Sequence, residues 1–264
     1  MISDATNGLM VEIPTASSPS ALHAEVLHNQ NIPFIPEWQF RTLTVGPRRS
    51  SPIYDQHIVD TVGSSYDFGD EMRFGKEDGL LRGLVLTMPD RNMENAVDAI
   101  DAWLNTTRIQ ALLRLASPIP FALDGADVRA MDEDGRILLA TLNSGARWDG
   151  QRLRIAVSTD TDLLFTDGRF CGWLLMNPLE HLRYGDGRGA EPSAASSGGE
   201  ALELLRSYLA LVAEPNIERM EDQDEELKIA LADLKHRAAQ ASLRELKARE
   251  ITAQLDDLLD RFYG

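Results

Sequence analysis

A single cysteine, Cys171, occurs in 264 residues. An intramolecular disulfide framework is therefore excluded, and the usage fits a reducing compartment. Long apolar runs are also missing. The longest, such as Leu84–Leu86 and Cys171–Met176, fall far short of the roughly 20 apolar residues that a bilayer-crossing helix needs. The opening MISDATNGLMVEIPT has neither the basic start nor the apolar stretch of a secretory signal. A cytoplasmic protein with no membrane partner is the expectation.

Basic residues are scarce, 26 Lys and Arg against 42 Asp and Glu, for a net charge of −16. Phosphate binding needs clustered cations to displace counterions, so nucleic acid is not expected as a partner. The acidity is spread out, with 13 acidic and 8 basic residues from Glu214 to Gly264. A basic protein partner would be drawn to such a surface, although charge of this kind also serves plain solubility.

Reaction motifs are lacking as well. No P-loop, dinucleotide fingerprint or G-x-S-x-G occurs. GDGRG (residues 185–189) has no strand before it and no basic residue placed to cradle a phosphate. The five histidines are scattered, and His23 and His28 are not spaced to share a helix face. Neither Asp132–Gly135 nor Asp160–Asp162 carries the ligand spacing of a calcium loop. Cys171 lies in an apolar run, RFCGWLLM, where a thiol behaves as a small buried hydrophobe. No cofactor, metal or catalytic residue is assigned.

What is present is a repeated design: an apolar alternating run, an acidic Asp-Gly turn, then a second apolar run. It occurs at Glu71–Met88, Asp127–Leu142 and Asp162–Met176. Asp-Gly favours hairpins because a turn matching strand twist needs positive φ at its centre. The three hairpins, with turns at Gly79, Gly135 and Gly168, predict a mainly antiparallel sheet of about seven or more strands in an α+β fold. Alternation at Glu37–Val45 adds a strand, and Ile53–Val62 is expected to add another. Leu153, Ile155 and Val157 alternate with Arg152, Arg154 and Ala156, which predicts a strand with one buried and one wet face. Arg108–Leu115 fits helix or strand.

Helices are expected at three places. Ala21–His28 suggests a short one after a loose N-terminal arm over 1–20. Asp90–Leu104 carries Met93, Val97, Ile100 and Leu104 as a stripe, with Asp90 or Asn92 as cap. After a Gly/Ser/Ala-rich linker over 184–199, which closes an α+β domain at 21–183, the chain turns helical over 200–264. A helix is expected at 200–212, then a long helix or helix pair at 217–263. Proline and glycine are absent from Ile217 to Phe262, and Leu227, Leu231, Leu234, Ala238 and Ala241 form a heptad seam. The seam breaks near Gln240, and Leu243, Leu246, Ile251, Leu255, Leu258 and Phe262 make a displaced stripe.

The reading is a non-enzymatic protein-binding module, an acidic inhibitor, immunity-like protein or regulatory adaptor. Its partner-binding candidates are Trp148 with the flanking Arg147 and Arg152, and the helical residues Leu227, Leu231, Leu234, Leu255, Leu258 and Phe262. Two alternatives stand beside it. One is a hydrolase-like enzyme with a site assembled from dispersed Asp, Glu and His. The other is an assembly component whose C-terminal helix forms a homo-oligomer.

Overall fold

The computed structural model describes residues 8–16, 18–65, 69–142, 150–184 and 199–264. In chain order its first half holds β1 (Met10–Thr15), β2 (Ser18–His28), β3 (Glu37–Trp38), β4 (Thr42–Val45), α1 (Tyr54–Asp60), β5 (Thr61–Gly63), β6 (Glu71–Gly75), β7 (Leu81–Thr87), α2 (Ala96–Leu104) and β8 (Arg108–Leu115). There follow β9 (Val128–Met131), β10 (Ile137–Thr141), β11 (Arg152–Ala156), β12 (Thr161–Thr166), β13 (Arg169–Met176), α3 (Pro178–His181), α4 (Gly199–Leu211), α5 (Asn216–Glu221), α6 (Glu225–Ala241) and α7 (Leu246–Tyr263). The fold is α+β.

All three Asp-Gly segments form hairpins, β6–β7, β9–β10 and β12–β13. The tightest is β12–β13. Thr166 pairs with Arg169, and Asp167 and Gly168 between them both have positive φ, 51° and 77°. That is the primed turn whose twist suits a two-residue hairpin. At Gly79, with φ 68°, a side chain would also run into the carbonyl oxygen of Leu115, so glycine is required there twice over.

Five strands form an antiparallel sheet in the order β3-β4-β7-β6-β5. The larger sheet has eight, β1-β2-β8-β11-β12-β13-β10-β9, and is mixed because β8–β11 and β1–β13 run parallel. The β1–β13 contact, Glu12 opposite Arg169, closes six of the eight strands into a ring. The Glu12 N–H donates to the Gly168 carbonyl at 2.7 Å across that seam. Strand β13 serves two neighbours along this edge, β1 at Arg169 and β10 from Gly172 to Met176. A bulge makes the change of partner feasible. Leu164 faces Gly172 and Phe165 faces Phe170, so Cys171 is the extra residue, and a bulge bends its strand and sharpens its twist.

Several segments differ from the sequence reading. The expected arm contains β1, which pairs with β2. Ala21–His28 is strand within β2, not helix. Its Ala, Leu and Glu favour helix in isolation, but Leu22, Ala24 and Val26 also alternate, and pairing to β1 and β8 decides the outcome. Ile53–Val62 holds α1 and only then the short β5. Arg108–Leu115 is strand. Helix α2 begins at Ala96 rather than near Asp90, because the backbone before it covers the edge of β9: the Arg129 N–H donates to the Arg91 carbonyl, and the Met93 N–H to the Arg129 carbonyl. Its buried face is Ala99, Ile100 and Trp103, while Val97 and Leu104 lie exposed.

One hydrophobic core runs from both sheets into the C-terminal helices, joining Val11, Leu43, Phe74, Leu113 and Phe165 to Leu205, Leu231 and Leu255. A second, smaller core lies under α2 and takes Leu139, Leu164, Cys171 and Leu174 from the other face of the sheet.

Candidate functional site

The stretch expected as one long helix or a helix pair at 217–263 holds three helices: α5 ends at Glu221, and the rest breaks at residues 242–245 into α6 and α7. Helix α6 starts at Asp224, whose carboxylate accepts from the Leu227 N–H at 2.9 Å and from Arg219 at 3.0 Å. Those bonds, led by the backbone one, hold the Asp224 carboxyl below its ordinary range. Asp224 thus absorbs an amide that a helix start leaves unpaired. Helix α7 is fastened at its first turns to α3 and the residues that follow it. The Lys247 ammonium donates to the carbonyls of Glu180 (2.8 Å) and Leu182 (3.0 Å), and Glu250 accepts from the Tyr184 N–H at 2.7 Å. Burial, then the nearby Arg183 charge, pushes Lys247 down to about 8. Arg244 bonds Glu200, and Glu245 accepts from the Ala201 N–H in the first turn of α4. The helices are anchored, with their outer faces held at fixed positions.

The candidate contact residues separate into three groups. Leu227, Leu231, Leu234 and Leu255 are buried among α4, α6 and α7 of the same chain, so the heptad seam is filled from within. Leu258 and Phe262 are half-buried against that core, and Arg152 is half-buried on β11. Arg147 and Trp148 lie outside the described residues. Among the described candidates, most are enclosed in the core and do not form an open surface.

The polar constellations of the interior hold elements together. Arg154 was expected on a wet face, yet it is 4% exposed. It reaches Asp162 from the neighbouring strand at 2.7 Å, and Arg108 reaches the other carboxylate oxygen at 2.9 Å. Arg154 Nη1 also donates to the carbonyl of Trp103 at the end of α2, at 3.1 Å. A cation at a helix C-terminus answers both the unpaired carbonyls and the helix dipole. His181 and Asp160 look most like an acid–base pair, at 3.0 Å. The other ring nitrogen of His181 sits 3.0 Å from the Pro36 carbonyl, so both nitrogens are occupied and the ring joins α3 to the segment before β3. Burial pushes the Cys171 thiol up to about 11, which suits the buried hydrophobe expected there. Among the described residues, no group of three or more His, Cys, Asp and Glu converges as a metal site.

A feature missed in the sequence lies on the outer face of α6. Ile229 is 67% exposed, with Glu225 and Glu226 one turn before it and Asp233 one turn after, all exposed. Glu218, Glu221 and Asp222 extend the acidic surface through α5. Ile229 is out of phase with the seam at Leu227, Leu231 and Leu234, and that phase was the readable signal. Among the described residues, no helix is long and apolar enough to cross a membrane. Compared with known proteins, the chain matches no family model, no curated protein and no solved structure.

Proposed function

We propose that this chain is a protein-recognition module that docks a basic partner on the outer face of α5 and α6. Ile229, an exposed apolar side chain with carboxylates one turn before and one turn after it on a helix whose opposite face is buried in the core, carries the reading. Acidic residues raise the encounter rate with a basic surface, and an apolar anchor inside a charged rim is how recognition surfaces concentrate their affinity. The anchored helix supports it further, since little conformational freedom remains to be lost on binding.

Purification from the native cell tests the proposal directly, with a basic protein expected to accompany the chain at fixed stoichiometry. Ile229→Arg is expected to weaken that complex about tenfold or more. Raising the salt concentration is expected to slow association more than it speeds dissociation. A chain that copurifies with nothing, or an Ile229→Arg variant that binds its partner unchanged, overturns it.

A further inference from the structure

Among the described residues two buried arginines do the same structural work, and only one is in direct contact with a carboxylate. Arg154 holds the carbonyl end of α2 and is paired with Asp162. Arg129, 3% exposed on β9, holds the carbonyl end of α4 by donating from Nη2 to Leu209 (2.7 Å) and Val212 (3.3 Å). Its Nε donates to the side-chain oxygen of Asn92 at 3.1 Å. All three acceptors are uncharged. Nη1 has no hydrogen-bond partner among the described residues. The nearby carboxylate of Asp90 is turned to Arg41, at 3.5 Å.

A cavity of about 260 Å³ lies against Arg129, at the edge of β9 between α2 on one face of the sheet and α4 on the other. Met93, Met131, Leu138 and Leu209 give it apolar walls, and Asn92, Arg206 and Ala210, all exposed, stand at its mouth. At about 30 Å³ per water it has room for the equivalent of roughly nine waters. A site with apolar walls and a few convergent polar groups is the usual form of a small-molecule pocket. A buried cation without a carboxylate is costly until an anion reaches it.

The geometry points to a binding site for a small carboxylic acid with an apolar body, its carboxylate on Arg129 and its hydrocarbon between Met93 and Met131. Arg206 at the mouth is already engaged with the Glu133 carbonyl, so the one guanidinium edge of Arg129 left over beside Met93, Met131 and Leu138 suits one carboxylate better than a phosphate, which carries more oxygens and more charge to satisfy. Burial also lowers the Arg129 pKa from its ordinary value, an effect that the nearby Asp90 charge offsets only in part.

The probe is octanoate, titrated into the full chain while the ε-methyl signals of the eight methionines are followed by NMR. Saturable shifts at Met93 and Met131 are expected, with a Kd of about 1 mM or tighter. Octanol, which keeps the body and loses the charge, is expected to bind at least about tenfold more weakly. Because Arg129→Ala also strips α4 of its cap, the decisive variant is Ala210→Leu. It fills the mouth from an exposed helical position and leaves Arg129 in place, so it is expected to abolish the shifts while circular dichroism stays unchanged. Four results overturn the proposal: no saturation below about 10 mM, octanol binding as well as octanoate, inorganic phosphate binding more tightly than octanoate, or undiminished binding to Ala210→Leu.

Discussion

Asp162 is shared by Arg108 and Arg154 because three neighbouring strands, β8, β11 and β12, place these residues on one face: Arg108 stands opposite Arg154, and Ala156 opposite Asp162. Asp70 has no such company. Its Oδ1 accepts from the Thr87 N–H at 2.6 Å, but Oδ2 is buried without a partner, and burial pushes the carboxyl up to about 7. The folded state therefore binds this proton more tightly than the unfolded chain, whose aspartates titrate near pH 4. The stabilisation is complete below about pH 4 and is lost as pH rises through about 7, a change on the order of 4 kcal/mol. Denaturant unfolding at pH 5 and pH 8 should show about 3 kcal/mol of this loss in the wild-type chain, and Asp70→Asn should remove that part of the slope. Equal slopes would place the burden on another group. At this scale the sequence was least legible. The alternation puts Arg154 on a wet strand face, and nothing in the sequence singles out Arg129 or Asp70, since only pairing between distant segments shows that each is enclosed.

At the scale of elements, local signals and pairing compete, and each outcome has its physical reason. The Asp-Gly hairpins were readable because their turns impose positive φ within two to five residues, and nothing distant can alter that need. The seam on α6 was readable for a similar reason, since an apolar repeat of this period must be covered. Which surface covers it was not readable. The cover is α4 and α7, and the linker expected at 184–199, which leads into α4, lies outside the described residues but for its two ends. Leu231→Ala tests the internal placement. Truncating a fully buried leucine should cost about 2–5 kcal/mol in denaturant unfolding. A loss below about 0.5 kcal/mol would mean that the side chain is not enclosed as described.

For the whole molecule, the continuity of the core decides what can be removed. Tyr208 on α4 packs its ring against Phe40, 4.8 Å between centroids, and α4 in turn carries α6 and α7. A chain cut after Ala213 keeps every strand and α4 but strips α5, α6 and α7 from the apolar face that α4 turns to them. It should aggregate or elute far above monomer size in sedimentation or gel filtration. A soluble monomer with native circular dichroism in its sheet would show that the sheets and α4 need no cover from α5, α6 and α7. The sequence suggested a helical region set apart by a linker. The structure joins its core to that of the sheets because Leu204, Leu205 and Leu209 find apolar partners there.

The ring of strands has a bearing on the order of assembly. β1 can meet β2 as soon as both have left the ribosome, but its other edge waits for Gly168 and Arg169. Some 150 residues must be synthesised before the earliest strand finds its last neighbour. Contacts so distant along the chain are slow to form. Until then, the amide of Glu12 that will bond Gly168 has no strand beside it, and that edge of the nascent chain is the one most in need of protection from its own kind.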